Sequence, residues 1–396
     1  MYDVGIRCTI LRIQYEKQSP EFLKVRDFVY FNKQDLIYTF ISFESENSFM
    51  NEIFDITEWS EQFWLNTGGT RNKKIVSNSI GEFYYFKQSF FKPGRDYKFE
   101  FWSEIIACQL GEILGFEILK YHLGYDASNI GCLSKSMHLP NEELKEGGKF
   151  LQAFDNTFNP ETKEGRKHYT FELINISLKE FDLDQYLPNL IDIIIFDSVI
   201  GNGDRHQENW AFISESSIFE KSLKVTLDPE SIKNLPKIIQ NFLRKRLFEN
   251  GSDKLNSDGH RAKLFFSKIK SFAPIYDNGS SLGRELSEQQ IQTYLSNEDR
   301  LLKYVKDGVA EIHWQNKKLR HFDLIKQIKE SYPEQVLKTI SRIRINYDSQ
   351  KLKHILDVVD KDLPKKFAGC KLSVDRKEFI LKTVSLRIGL LVEVLK

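Results

Sequence analysis

A polar ten-residue segment between two apolar stretches places the strongest constraint on this chain. Residues 190–200, LIDIIIFDSVI, are almost continuously apolar, and an apolar stretch that could pair as a short strand resumes at 210–213. Between them, GNGDRHQENW carries Asp204 and, five positions later, Asn209. This spacing on a tight loop lets both side chains face one cleft, where a carboxylate can orient a hydroxyl and an amide oxygen can hold a metal ion. The pattern predicts a functional loop anchored in a buried core.

The same segment is also compatible with a simple helix-to-strand connection. Gly201, Asn202, Gly203 and Asp204 are all turn formers, and Asp204 could act only as a cap. The two interpretations differ in the effect of Asp204→Asn. That change should cost little at a cap, because Asn caps about as well as Asp, whereas loss of a general base lowers a rate by about 10²–10⁴-fold.

A second candidate metal ligand is Asp277, which lies within APIYDNGSSLG at 273–283. It follows an apolar stretch and precedes Asn278 and Gly279, so the segment keeps the Asp and Gly of a D-F-G motif and replaces its Phe. Asn-Gly is also the strongest short signal for a type I′ hairpin turn. Alone, the motif is weak.

Two upstream segments supply a candidate phosphate-binding lysine and a carboxylate that could pair with that lysine. Residues 83–87, FYYFK, predict an aromatic-rich strand ending at Lys87, the candidate phosphate-binding lysine. A solvent-facing lysine on a strand is the plain alternative. Apolar residues then recur at helical spacing over 101–116, where Glu104 is well placed to pair with Lys87 and Glu112 is the less favoured substitute.

The segment before this strand, TGGTRNKK at 67–74, is glycine-rich and basic. Its glycines let backbone N–H groups approach an anion and its cations add attraction, as a loop that covers a nucleotide requires. It matches neither G-x-G-x-x-G nor G-x-x-x-x-G-K-[ST]. By itself, an ordinary surface loop is the better interpretation.

Taken in order, these motifs resemble those of the HipA-like serine/threonine kinases, a bacterial family whose catalytic loop is also similar to that of the phosphoinositide kinases. The likeness is carried by TGGTR (67–71), FKQS (86–89), SEIIACQLGEILG (103–115), GCLSKSM (131–137), GNGDRHQENW (201–210) and IYDNGSSLG (275–283). The resemblance implies an α+β, bilobal protein-kinase-like fold with a β-rich N-lobe and a mainly helical C-lobe. ATP and Mg²⁺ would bind between the two lobes.

The resemblance also implies roles for individual polar residues. Asp204 would be the catalytic base, and Asn209 and Asp277 would bind Mg²⁺. Lys87 would anchor the phosphates, with Glu104 as its partner.

Further implied ATP contacts are Gly68, Gly69 and Thr70 of the glycine-containing loop, and Ser136 and Met137 of the segment that meets the adenine. His206 would orient the catalytic loop, although a histidine satisfied in the core is an equal alternative. Members of the family often phosphorylate their own glycine-containing loop, which makes Thr67 and Thr70 candidate sites here.

We expect three parts along the chain. Residues 1–58 alternate apolar and polar positions and predict a β-rich accessory segment, 59–138 the N-lobe, and 139–396 the C-lobe, because helical patterns dominate after Asp277. Between Asn209 and Asp277 lie 67 residues, where the resembled family has a short hairpin, so the resemblance implies an insertion at about 214–272. Within it, the apolar residues of SIKNLPKIIQNFLRKRLFEN at 231–250 recur at helical spacing, and the segment carries a basic cluster. This cluster is either a solvated face or a docking element for a substrate or regulator.

Composition excludes several classes of protein. With 57 basic and 56 acidic residues the net charge is +1, so charge-driven binding to nucleic acid is not expected. The four cysteines are scattered, with neither a zinc-site spacing nor a disulfide framework, which implies a reducing cytoplasm. We find no apolar segment of membrane-spanning length and no signal peptide pattern.

These observations predict an ATP- and Mg²⁺-dependent kinase that transfers the γ-phosphoryl group to a protein serine or threonine. Members of the resembled family can act as growth-arresting toxins. The resemblance therefore allows this chain to be such a toxin, with an antitoxin or another regulatory protein as its partner. Two alternatives stay open: a lipid or small-molecule kinase of the phosphoinositide-kinase type, and a nucleotide-binding pseudokinase that acts as a scaffold.

Overall fold

The computed structural model describes residues 52–62, 73–89, 91–92, 95–139, 141–220 and 263–395. Most of the accessory segment expected at 1–58, the loop with Gly68, Gly69 and Thr70, the candidate phosphorylation site Thr67 and the helices expected at 231–250 lie outside these ranges. No helix in the described part of the chain is long and apolar enough to cross a membrane.

The N-terminal lobe is built on strands. They are β1 (Ile53–Asp55), β2 (Ser60–Glu61), β3 (Lys73–Ser77), β4 (Phe83–Gln88), the short ribbon of β5 (Phe91–Lys92) and β6 (Arg95–Asp96), then β7 (His122–Tyr125) and β8 (Ile130–Lys135). Six of them form one sheet in the order β1-β7-β8-β4-β3-β2. β1 pairs with β7 in parallel, and the other neighbours are antiparallel.

The two faces of this sheet differ because side chains alternate along each strand. Phe86 is fully buried opposite Leu133 and belongs to the apolar cluster on one face. Its neighbour Lys87 points to the other face, where it is paired with Cys132 of β8 and Lys73 of β3. The strand register thus places two lysines side by side on one face of the sheet.

Helix α1 (Glu100–Leu114) packs on the lysine-bearing face, against β4 and β8. It is buried almost all round, including its polar residues Glu100, Ser103 and Gln109, and it ends at Gly115 in the left-handed conformation with φ 78°. Glu104, a charged residue with no exposed surface, lies in its first half. A buried carboxylate needs partners, and the sheet supplies one.

A second sheet, of three strands, is formed within the 139–396 part of the chain. Strand β9 (Glu142–Glu146) pairs antiparallel with β10 (Ala211–Glu220), which pairs antiparallel with β11 (Lys263–Phe272). β10 begins directly after the 201–210 segment, as the apolar stretch there predicts. The ends of the expected 214–272 insertion are therefore paired strands.

The C-terminal lobe is helical. In the part of this lobe that the structure describes, the helices are α2 (Gly147–Phe154), α3 (Lys163–Lys167), α4 (Phe171–Glu180), α5 (Leu187–Ile200), α6 (Glu288–Leu295), α7 (Glu298–Asp307), α8 (His321–Ser331), α9 (Pro333–Asn346), α10 (Ser349–Val358) and α11 (Val374–Glu393). The predicted fold class, a β-rich lobe followed by a helical lobe, is confirmed. The division at 58/59 and 138/139 stays a prediction.

Helix α5 is the central element of this lobe and leads into the predicted functional loop. Its apolar run is too long for an ordinary strand and has Pro188 in the first turn, where proline is tolerated. It packs against α8, α9 and α11. It ends at Gly201, whose φ of 70° is accessible to glycine at little cost. The loop that follows therefore starts from a fixed, buried point.

Candidate active site

Three charged residues from distant parts of the chain meet at the lysine-bearing face of the sheet. The Nζ of Lys87 lies 2.6 Å from Oε1 of Glu104, and it also forms an ion pair with the carboxylate of Asp277. The side chains are 0% exposed at Glu104, 13% at Lys87 and 25% at Asp277. Lys87 thus links a buried carboxylate to one that borders solvent. Glu112, the less favoured partner, instead pairs with Lys120, 3.3 Å away.

The second oxygen of Glu104 is also bound. The backbone N–H of Asn278 donates to Oε2 at 2.7 Å. Burial raises the pKa of the Glu104 carboxyl, and the attraction of the Lys87 ammonium opposes that shift. Both oxygens therefore have charged or strongly polar partners, as an ionised carboxylate in a buried position requires.

Asp204 and Asn209 are held together by the loop that carries them. The side-chain amide of Asn209 donates from Nδ2 to the backbone carbonyl of Asp204 at 2.8 Å. The N–H of Asp204 donates to Oδ1 of Asn202 at 3.1 Å. The Oγ of Ser280, from the segment that contains Asp277, donates to Oδ2 of Asp204 at 2.9 Å. The sequence spacing alone did not indicate Ser280.

Arg205, which sequence reasoning did not single out, holds this loop against the Asp277 segment. Its guanidinium is 1% exposed and contacts Asp197 through two hydrogen bonds, Nε–Oδ2 at 3.0 Å and Nη2–Oδ1 at 2.8 Å. It also donates to Oδ1 of Asn278 at 2.7 Å and to the carbonyls of Asn209 and Tyr276. Arg205 therefore contacts the residues on both sides of Asp277 and follows Asp204 directly.

The charge of Arg205 is retained in the core. Burial by itself would lower the pKa of the guanidinium, but the attraction of Asp197 outweighs it and the pKa is raised. A signal for this pair was present in the sequence, because Asp197 is a carboxylate inside an apolar run and such a group is rarely buried without a partner.

His206 lies in the same loop, partly buried, with Nδ1 3.3 Å from the backbone nitrogen of Glu208. This contact is local to the turn. The loop is also bound to the start of α2, because the backbone N–H groups of Gly147 and Gly148 donate to the carbonyls of Trp210 and Gln207 at 2.9 and 2.8 Å. A role for His206 in orienting the loop stays a prediction.

A second lysine of the site was included in the predicted 67–74 loop but given no role of its own. Lys73 begins β3 directly opposite Lys87, so both side chains leave the same face of the sheet. Burial lowers the pKa of Lys73, Asp277 raises it and Lys87 lowers it further. Lys73 is therefore close enough to Asp277 and Lys87 to add positive charge to the same cleft.

The segment expected to meet an adenine ring lies beside an apolar patch. Ser136 follows β8, and its N–H donates to the carbonyl of Phe83 at 2.9 Å. Met137 packs against a cluster formed by Ala211, Ile213 and Ala273. Ala211 and Ile213 belong to β10 and Ala273 follows β11, and all three are buried, so Met137 borders a small apolar cluster at the start of the second sheet. Apolar surroundings of this kind are common at sites that bind small molecules.

Asp277 and Asn209 are suitable as ligands for a hard cation. Carboxylate and amide oxygens are the donors that Mg²⁺ prefers, and Mg²⁺ that binds nucleotide usually takes one or two protein ligands together with phosphate oxygens. Because Asn209 uses its Nδ2 to bind Asp204, its Oδ1 is oriented away from that bond. The described residues contain no group of three or more His, Cys, Asp or Glu that could hold a metal ion without such a co-ligand.

The chain has a kinase-like fold. It combines a β-rich lobe with a helical lobe, and a lysine of the first lobe is bound to one carboxylate on a helix and to another on a loop. The sequence matches no protein-family model and no curated protein. Among solved structures, the chain is similar to the proinflammatory kinase CtkA of Helicobacter pylori, with a TM-score of 0.61 and 20% identity over 87% of this chain and 96% of that one. This likeness establishes the shared fold.

A second structure that matches is HipA of the Shewanella oneidensis MR-1 toxin–antitoxin system, solved with HipB and operator DNA. The TM-score is 0.37 and the identity 9%, over 83% of this chain and 65% of that one. A score of this size supports no argument about this chain.

Proposed function

We propose that this chain is an ATP- and Mg²⁺-dependent kinase that transfers the γ-phosphoryl group to a serine or threonine of a protein. The observation that carries the proposal is the double contact of Lys87 with Glu104 and Asp277, with Arg205 joining Asp277 to the loop of Asp204 and Asn209. The fold shared with CtkA agrees with it.

Each residue of the site has a defined task in this proposal. Bound Mg²⁺ would offset negative charge on the phosphates and on the leaving group. Asp277 and Asn209 would hold the cation, while Lys87, kept in place by Glu104, and Lys73 would attract the phosphate oxygens. Asp204 would accept a hydrogen bond from the acceptor hydroxyl and direct its oxygen toward phosphorus. Met137, at the border of the buried apolar cluster, would adjoin the adenine.

Finer expectations belong to the same proposal. Gly68, Gly69 and Thr70 would cover the phosphates, Ser136 and Met137 would border the adenine, and Thr67 and Thr70 are candidate sites of self-phosphorylation. The resemblance of the sequence motifs to the HipA-like kinases motivates a search for a regulatory or antitoxin-like partner of this chain. A cytoplasmic location is part of the proposal.

The proposal is tested by intact-mass spectrometry and ADP release. Purified protein is incubated with ATP and Mg²⁺, alone and with casein as a generic acceptor. We expect steps of about 80 Da on acceptor or enzyme, abolished in Asp204→Asn and Asp277→Ala. Asp357→Asn, which changes a half-exposed surface carboxylate that is paired with Lys353, is the matched control and should retain activity.

Other outcomes point to other functions. Thermal stabilisation by ATP and Mg²⁺ without transfer to any acceptor would favour the scaffold. Transfer to phosphatidylinositol in vesicles but to no protein would replace the proposed acceptor with a lipid.

A further inference from the structure

The segment from Asp277 to Leu282 is fixed on both sides of Ser280. The N–H of Asn278 is bound to Glu104 at 2.7 Å, and the Oγ of Ser281 donates to the carbonyl of Asn278 at 2.6 Å. The Oγ of Ser103 in α1 donates to the carbonyl of Ser281 at 3.0 Å, and Leu282 is bound through its N–H to Ile200 at 3.0 Å. Helices α1 and α5 thus hold this backbone from two directions.

The close approach of Gly279 to α1 shows how tightly the segment is packed. A Cβ at this position would lie 3.0 Å from both the Cγ of Glu100 and the Oε1 of Glu104. These contacts leave little room for a side chain between the segment and the helix. The backbone that carries Ser280 is therefore set by its neighbours.

The Oγ of Ser280 lies 2.9 Å from Oδ2 of Asp204. We propose that Ser280 is a positioning residue, whose hydroxyl holds the Asp204 carboxylate in the orientation that receives an acceptor. This inference rests on the proposed kinase function. A free aspartate on a loop samples several side-chain rotamers, and a hydrogen bond from a fixed hydroxyl selects one of them.

A different role for the same hydroxyl is less well supported. A serine within hydrogen-bonding distance of a base could itself accept the phosphoryl group. Transfer to Ser280 would bond its Oγ to phosphorus and place a charge of roughly −2 near the carboxylates of Asp204 and Asp277. Like charges repel, and the fixed backbone offers no movement that would separate them. The contact therefore favours orientation of Asp204 over transfer to Ser280.

The kinetic test compares Ser280→Ala with Ser280→Thr by ADP release. Because a misplaced catalytic group can cost about 10²-fold, we expect the kcat of Ser280→Ala to fall by roughly 10–100-fold while the KM for ATP changes less than about twofold. Ser280→Thr keeps the hydroxyl and should restore most of kcat. Ser331→Ala, at an exposed serine near the end of α8, is the control and should behave like wild type. Equal melting temperatures would separate these effects from misfolding.

A structural readout keeps this inference separate from the kinase proposal. Crystal structures of wild type and Ser280→Ala should show Asp204 in one rotamer in the former and in a different rotamer or several in the latter. If wild type shows no transfer, the kinase proposal fails, and the rotamer comparison still decides whether Ser280 orients Asp204. An unchanged Asp204 rotamer, an unchanged kcat in Ser280→Ala, or phosphate on the tryptic peptide 271–284 after incubation with ATP and Mg²⁺ would each overturn the inference.

Discussion

Loss of the Arg205 side chain should destabilise the whole chain. In wild type the guanidinium is 1% exposed and donates to Asp197, Asn209, Tyr276 and Asn278. Arg205→Ala would leave Asp197, itself 3% exposed, as a buried carboxylate without its countercharge. Asn202 would remain its neutral partner, with Nδ2 3.0 Å from Oδ1.

The size of the effect follows from the burial of both partners. Removing one member of a buried ion pair costs about 3–5 kcal/mol, because the other charge stays in the core uncompensated. Total stabilities are about 5–15 kcal/mol, so Arg205→Ala should remove roughly 30–50% of a mid-range value of about 10 kcal/mol. Adding Asp197→Ala should make the double variant about 1–3 kcal/mol more stable than the sum of the single effects predicts, since no unpaired charge is left.

Urea unfolding monitored by circular dichroism measures these differences as shifts of the midpoint at constant slope. Arg320→Ala is the matched control, because Arg320 pairs with Asp307 at 3.1 Å where the side chains are 56% and 42% exposed. A surface pair of this kind contributes about 0–1 kcal/mol. If Arg205→Ala costs no more than Arg320→Ala, the proposed dependence of the fold on this buried pair is wrong.

Three further changes test other features of the structure. Burial lowers the pKa of His321 from 6.5 to about 3, so below about pH 6.5 the unfolded chain takes up a proton that the folded chain does not. The free energy of unfolding should therefore fall by up to about 1.4 kcal/mol per pH unit as the pH is lowered toward 3. His321→Phe should reduce that slope in urea titrations at about pH 7, 6 and 5. In Gly131→Ala the Cβ would lie 2.2 Å from the carbonyl oxygen of Lys87, so the two strands must separate and the melting temperature should drop. The control is Gly389→Ala, because Gly389 is exposed in α11 with open space around it. This change should stabilise the fold by about 0.5–1 kcal/mol. Under the proposed function, Lys73→Met should raise the KM for ATP by about tenfold and Lys73→Arg by less, as measured by ADP release, and an unchanged KM would remove Lys73 from the phosphate site.

The order of the motifs, together with the family they resemble, predicted that Lys87, Glu104 and Asp277 meet. Lys87 ends an aromatic strand, Glu104 lies on the first half of the next helix, and Asp277 follows an apolar segment. Each motif alone had a plain alternative, but a shared cleft satisfies all three charges at once. The contact of Lys87 with both carboxylates agrees with that prediction. Their catalytic roles remain proposals.

Other features could not be predicted because they depend on tertiary partners. Strand β9 reads EELKE, a sequence without an apolar face, and such residues have low strand propensity. It forms because the edge of β10 is available for pairing, from Ala211 opposite Glu146 to Glu215 opposite Glu142, and charged residues are tolerated on an edge strand. The position of Ser280 beside Asp204 likewise depends on how the segment after Asp277 is held by α1 and α5.

Asn278 joins the two lobes at the site. It stands where a D-F-G motif has Phe, yet it is fully buried and binds both lobes through polar atoms. Its N–H reaches Glu104 on α1, and its Oδ1 accepts from Nη2 of Arg205 at 2.7 Å. A shift of α1 away from this segment would leave the buried Glu104 short of a partner, at about 1–3 kcal/mol for the lost bond. The backbone N–H at position 278 therefore holds the buried carboxylate of Glu104 in place, and the Asn278 side chain adds the bond to Arg205, which an apolar Phe side chain could not form.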